Sequence, residues 1–220
     1  MLPQFNNSSL LETALTHRSA LNEKISPSVE SNERLEFLGD AVLELITTEY
    51  LFGKYPTEPE GILTTYRSAL VKTTTLAEVA QELDLGQKLY MSNGEEATGG
   101  RTNPSLLADT TEAIIGALYL DQGYQPTKEF LNQHLFHKFD KIKQQKLYRD
   151  AKSFLQEIVQ AKGFEAPVYE VIKEEGPDHN KKFTVKVLID SQTTGTGLGK
   201  SKQTAQQAAA QKALEELGAT

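Results

Sequence analysis

The chain has 220 residues, a formal net charge of -7, 38% hydrophobic residues and no cysteine. That length and apolar fraction suit one large domain or two modest ones with packed cores. The absence of cysteine excludes disulfides and thiolate metal sites and suits a reducing, cytoplasmic setting. The longest apolar run, about residues 113–120, is far short of the roughly 20 residues a membrane span needs. Residues 1–7 carry no basic patch and no apolar segment follows them, which predicts no signal peptide. The average charge argues against a polyanionic partner, yet it is unevenly placed. Residues 1–146 hold 13 Lys and Arg against 20 Asp and Glu, whereas residues 147–220 hold 10 of each. The last third can therefore carry a basic cluster that binds phosphates locally.

In chain order, Leu10, Leu11, Ala14 and Leu15 predict a short helix over residues 8–20 that ends near His17 and Arg18. A His at a helix end reads as a capping or otherwise satisfied polar group. Residues 22–31 read as a loop, after which Ser31 or Asn32 is a natural N-cap with Glu33 in the first turn. The helix that follows should run to about Phe52. At about 100° per residue, Leu35, Leu38, Val42, Leu45 and Ile46 form its core stripe. Glu33, Glu36, Asp40 and Glu44 gather on the opposite face with Arg34 as the only basic residue among them. Carboxylates at this spacing repel one another, so a positive group should cover them.

Phe37 projects beside the acidic face, either as a core aromatic on a helix buried on several sides or as an apolar knob for a partner subunit. Residues 62–71 and 76–83 carry helical spacing, with Gly86 as a stop, and residues 91–104 read as a loop. A strongly apolar helix over residues 105–120 follows, and Pro126 should open another that runs to about Lys141. The first region therefore reads as all-helical. Residues 141–152 are polar, lack a core stripe and form the candidate linker.

Beyond the linker the period changes. Residues 153–162 look helical, residues 168–172 and 183–189 alternate as strands around a turn at 176–180, and residues 193–199 make a Gly-rich third strand. In the last helix Ala205, Ala208, Ala209, Ala213 and Leu217 share a small-residue face suited to lying close on a sheet. The order α-β-β-β-α makes a compact α+β second domain.

Asp109 and Glu112 lie one turn apart on the apolar helix, and no Lys or Arg occurs between Arg101 and Lys128. Buried carboxylates are costly unless paired or metal-bound. Two helices of this kind could bring Glu36, Asp40, Asp109 and Glu112 together, and an all-oxygen set selects hard cations such as Mg²⁺, Mn²⁺ or Ca²⁺. A solvated acidic face stays open as the alternative on spacing alone.

The segment Asn32-Glu33-Arg34-Leu35-Glu36-Phe37-Leu38-Gly39-Asp40 resembles the signature of the ribonuclease III family at all nine positions. Residues 104–113 are similar to the family's second acidic segment, residues 14–19 to its N-terminal segment, and the α-β-β-β-α unit to a double-stranded-RNA-binding domain. The resemblance implies an all-helical nuclease domain over residues 1–146 and an RNA-binding domain over 150–219. It implies Glu36, Asp40, Asp109 and Glu112 as metal ligands, with Asp40 and Glu112 nearest the chemistry. Glu33 would lie near the dimer interface and RNA, Phe37 would be a dimer contact, and Glu60 an auxiliary acid. The reaction implied is Mg²⁺-dependent hydrolysis of double-stranded RNA by a homodimer, Mn²⁺ being a plausible substitute. It would leave 5′-phosphate and 3′-hydroxyl ends with short 3′ overhangs, in processing of ribosomal RNA precursors and messages. A non-cleaving RNA-binding protein on a nuclease scaffold is the rival, and a metal phosphohydrolase of small molecules leaves the last third unexplained.

Duplex RNA is read through its 2′-hydroxyls and phosphates. The candidates are Gln156 and Gln160 on one helical face, His179 at the turn tip followed by Lys181, and Lys200, Ser201 and Lys202 at the start of the last helix. The family usually has a second lysine where this chain has Gln203, which brings no charge. Gln203→Lys is therefore expected to bind duplex RNA more tightly, with a log–log salt slope steeper by about 0.9. Equal slopes for the two proteins in a filter-binding titration would contradict this.

Overall fold

The computed structural model describes residues 2–144, 151–177 and 181–218. The chain divides into two compact units, Met1–Gln145 and Lys146–Thr220. Among the described residues no helix is long and apolar enough to cross a membrane.

The first unit is helical. Its elements are α1 (Ser8–Ala14), α2 (Arg18–Glu23), α3 (Glu33–Lys54), α4 (Glu60–Val71), α5 (Thr73–Glu82), α6 (Leu85–Lys88), α7 (Asn93–Ala97), α8 (Pro104–Gln122), α9 (Tyr124–Leu131) and α10 (Lys138–Gln144). The single N-terminal helix expected from the sequence is two. His17 has extended backbone and its Nδ1 accepts from Ser19 N–H, so it ends one element and caps the next. The break is held by Tyr90, whose N–H donates to the Leu15 carbonyl while its carbonyl accepts from His17 N–H. Asn32 occupies the N-cap position of α3 without a side-chain capping bond. Its own N–H donates to the Thr16 carbonyl.

Other boundaries also moved. Residues 73–75 begin α5 instead of separating two helices, and Gly86 lies inside α6 because Asp84 makes the turn in left-handed geometry (φ 55°). The loop over residues 91–104 contains α7, capped by Ser92, and a 3₁₀ turn Gly100–Thr102. The helix opened by Pro126 starts at Tyr124 and is interrupted by a π-helical turn, Asn132–Phe136, before α10. Of the proposed linker, Lys141–Gln144 belongs to α10, where Ile142 is buried; residues 145–150 lie outside the described residues.

The core is organised by α8, of which ten residues are buried, packed against α3. The crossing is very close. A Cβ on Gly39 would run into the Glu112 carbonyl oxygen, and one on Gly116 into the Leu35 carbonyl oxygen. Two glycines thus let the two backbones touch, and the turns of α3 and α8 that bear acids come into register as a consequence. Leu45 departs from the expected stripe: it is 59% exposed, while Leu43 is fully buried.

The second unit consists of α11 (Ala151–Ala161), β1 (Val168–Glu175), β2 (Lys182–Ile189), β3 (Gln192–Gly199) and α12 (Lys202–Glu216). The strands form one antiparallel sheet in the order β1-β2-β3. Val185, Val187 and Ile189 of β2 alternate inward against Leu155 and Val159 of α11 and Ala205, Ala209 and Ala213 of α12. Gly195 and Gly197 sit directly under the backbone of α12, where a Cβ would meet the Ala209 carbonyl or amide. The small-residue face therefore lies on β3 as expected, with Ala210 and Leu214 buried and Ala208 only half-buried.

Overpacking a backbone contact costs typically 1–3 kcal/mol or more. Gly116→Ala is expected to lower the melting temperature by about 2–4 °C for each kcal/mol lost. It should reduce activity more than Gly195→Ala does, because it forces apart the helices that carry the acids. Equal activity losses at matched stability would contradict the crossing as the determinant of the site.

Candidate active site

Three carboxylates meet where α3 crosses α8. One oxygen each from Glu36, Asp109 and Glu112 lies within 4.8 Å of the others, and all three residues are half-buried. Glu36 is three residues before Gly39, and Glu112 supplies the carbonyl that Gly39 packs against. The contact that builds the core therefore positions the acids. Asp40, one turn beyond Glu36, is exposed and stands outside this set of three. Its charge is still felt by both Glu36 and Glu112.

The electrostatics are those of carboxylates crowded together and partly buried. Burial, followed by repulsion from Asp40, Asp109 and Glu36, pushes the Glu112 carboxyl up to about 8 from its ordinary 4.5. Burial and the charges of Asp109, Glu33 and Asp40 raise Glu36 as well. Asp109 is raised by burial and partly relieved by His17. Among the described residues none of the four acids is in an ion pair with Lys or Arg. Neutral carboxylic acids or a bound cation are the two ways to relieve such a cluster. An all-oxygen donor set with one strongly raised member fits a hard divalent cation.

The rest of the acidic face of α3 is accounted for separately. Glu33 faces Arg18 (Nη1–Oε1 3.6 Å) and accepts from Ser31 Oγ. Glu44 pairs with Arg67 (Nε–Oε2 2.7 Å), whose Nη1 also donates to Thr48 Oγ1. The ends of the face are thus covered by arginines from elsewhere in the chain, and the middle opens onto α8. Phe37 is 82% exposed, which removes the core-aromatic reading and leaves a surface knob. Glu60, the first residue of α4, accepts from Thr64 Oγ1 and lines a shallow groove with Phe52, Leu63 and Arg67. It lies outside the cluster of three.

Sequence reasoning missed His17 as an electrostatic neighbour of Asp109. It had a place only as a cap, and it is a cap; no periodicity signals that its ring also lies near an acid 92 positions later.

In the second unit, Gln156 and Gln160 are both exposed on α11. Gln156 lines a polar groove with Lys152, Ser153 and Gln203. Lys152 Nζ donates to Gln206 Oε1 and lies 4.9 Å from the centroid of the Tyr169 ring. Ser201 is the N-cap of α12 and completes a capping box with Thr204. Lys200 is exposed beside it. Lys181 and Lys202 both pair with Glu174. His179 lies outside the described residues.

The raised Glu112 has a consequence for stability. Between about 4.5 and about 8 the metal-free folded state binds a proton that the unfolded chain has released, so stability falls as pH rises through that window. Glu112→Gln, neutral at every pH, should melt several degrees above the parent at pH 8 in EDTA, the difference closing towards pH 4.5. A gap independent of pH would contradict the assignment.

Comparison with known proteins agrees with both units. Residues 7–139 match the ribonuclease-III-like family and residues 151–217 the double-stranded RNA binding motif. A protein named ribonuclease 3 from Geobacillus sp. (strain WCH70) is 49% identical over 213 residues, 97% of this chain and 86% of that protein. Its namesake in Pelotomaculum thermopropionicum is 48% identical over 205 residues, 93% and 85% of the two chains. A solved structure of the nuclease domain of ribonuclease III from Campylobacter jejuni is also similar. It aligns with a TM-score of 0.57 at 43% identity, covering 62% of this chain and 92% of that one, and shows structural flexibility in the region involved in dimer formation. The chain accordingly belongs to the ribonuclease III family of endoribonucleases that act on double-stranded RNA.

Proposed function

We propose that Glu36, Asp109 and Glu112, joined by Asp40, hold Mg²⁺ and form the hydrolytic centre, with Asp40 and Glu112 nearest the reacting phosphate. The observation that carries this reading is the convergence of three carboxylate oxygens within 4.8 Å, none of them paired with a Lys or Arg among the described residues. When bound, Mg²⁺ polarises a phosphoryl oxygen and makes the attacking water more acidic. Mn²⁺ is a plausible substitute for the same oxygen donors. The Glu112 carboxyl, at about 8, holds a proton at neutral pH and would give it up on holding a cation. Glu36 and Asp109, each raised in the same sense, are likewise held for a positive ligand. Attack of water on phosphorus with departure of the 3′-oxygen would break the P–O3′ bond, leaving a 5′-phosphate and a 3′-hydroxyl that takes up a proton.

The working form is proposed to be a homodimer through the first unit. Phe37, Leu45 and Phe52 (82%, 59% and 73% exposed) follow one another at about two-turn intervals along one side of α3. An apolar stripe of this kind on a 22-residue helix is suited to burial against a second copy. A two-fold pair would present two acidic clusters to the two strands and give short 3′ overhangs, with Glu33 and Glu60 auxiliary at the interface or RNA.

The RNA-binding domain is assigned to residues 150–219 and the catalytic domain to 1–146. Gln156, Gln160, His179, Lys181, Lys200, Ser201 and Lys202 are its proposed RNA contacts. Ribosomal RNA precursors and messages are the proposed substrates, in the cytoplasm. A protein that only binds RNA has no physical need for four mutually repelling carboxylates, which disfavours the non-cleaving alternative.

Labelled duplex RNA incubated with Mg²⁺ should be cut by the parent and left intact in EDTA. Glu112→Ala should cut at least about 100-fold more slowly, in the range of losing a major transition-state contact, while still binding duplex. Binding without any Mg²⁺-dependent cleavage by the parent would defeat the reading.

A further inference from the structure

Several charged pairs among the described residues of the second unit join one lysine to one acid. Lys186 meets Glu170 at 2.8 Å and Lys173 meets Glu175 at 2.8 Å. Glu174 is different. Its Oε2 lies 3.3 Å from Lys181 Nζ and its Oε1 lies 3.3 Å from Lys202 Nζ. The two cations come from different elements: Lys181 immediately precedes β2, and Lys202 is the first residue of α12. Glu174 is placed between them by the β1–β2 register, in which it faces Phe183. Lys202 Nζ lies 5.8 Å from the centroid of that ring. The carboxyl of Glu174 is held below the usual carboxylate range by Lys202 and Lys181 together.

Two ammonium groups converging on one small anion at a helix N-terminus reproduce the environment that binds a phosphate. Exposed ion pairs of this kind add little to stability, so their main physical effect is on where the lysine charges are spent. With Glu174 the trio carries a net charge of +1; without it the two lysines carry +2.

We propose that Glu174 is an internal competitor for the RNA backbone, its carboxylate occupying in the free protein the place between Lys181 and Lys202 that an RNA phosphate takes in the complex. The proposal rests on the assignment of these two lysines as RNA contacts. Glu174 then tempers affinity and salt dependence, which keeps the module from holding duplex RNA too tightly for release.

The test uses the full chain and a labelled RNA duplex in EDTA, so that binding is read without cleavage, from about 50 mM to about 200 mM salt. Glu174→Gln should bind more tightly than the parent. Its log–log salt slope should be steeper by about 0.9, so its affinity falls about three- to fourfold further than the parent's over that range. In a Lys202→Met background the gain from Glu174→Gln should shrink. Glu170→Gln, which removes the same charge from the same strand, should change the slope less. Weaker binding by Glu174→Gln, an unchanged slope, or an equal gain from Glu170→Gln would overturn the proposal. If Lys202→Met and Lys181→Met leave the parent's affinity unchanged, the RNA-contact assignment itself has failed and the proposal falls with it.

Discussion

The close contact between α3 and α8 is the constraint on which the first unit depends. Gly39 packs on the carbonyl of Glu112, and Gly116 packs on the carbonyl of Leu35. A side chain at either glycine would meet backbone of the facing helix and force the two helices apart. The same geometry fills the core, because α8 is apolar on most sides and surrounded by α1, α3 and α5. It also sets where the acids meet, because Glu36 and Glu112 are each within four residues of a glycine at the crossing. Core stability and acid convergence are therefore one structural fact with two consequences.

Charge is distributed to match. A helix with Glu33, Glu36, Asp40 and Glu44 along one side would be self-repelling if left bare. The protein covers its ends with Arg18 and Arg67 and leaves the middle to face two further acids. In that uncovered part the Glu36 carboxyl is raised, as are those of Asp109 and Glu112 opposite it. Repulsion that a structural helix would avoid is retained where a cation can offset it, the pattern expected at a functional site.

The sequence was most legible where periodicity was long and unambiguous. The 22-residue α3, the apolar α8 and the α-β-β-β-α order of the second unit all followed from spacing. Spacing also paired Asp109 with Glu112 on one turn, although it could not show that this turn meets Glu36. Short elements were not legible. The break at His17 depends on Tyr90, 73 positions away; the α5–α6 turn depends on Asp84 adopting left-handed backbone; and the π turn at Asn132–Phe136 has no sequence signature. Long-range ion pairs are equally hidden: no spacing puts Arg67 beside Glu44, or Glu174 between Lys181 and Lys202. Leu45 followed the helical period but not the core, because the apolar side of α3 wraps beyond the surface that α8 covers.

The most direct test of the acidic centre is proton release on metal binding, measured by calorimetric titration of Mg²⁺ into the full chain at pH 7 in buffers of different ionisation enthalpy. With the Glu112 carboxyl at about 8, binding should release about one proton more from the parent than from Glu112→Gln. Metal binding with no proton release by the parent, or with the same release by the variant, would contradict the convergence of Glu36, Asp109 and Glu112 on a single cation.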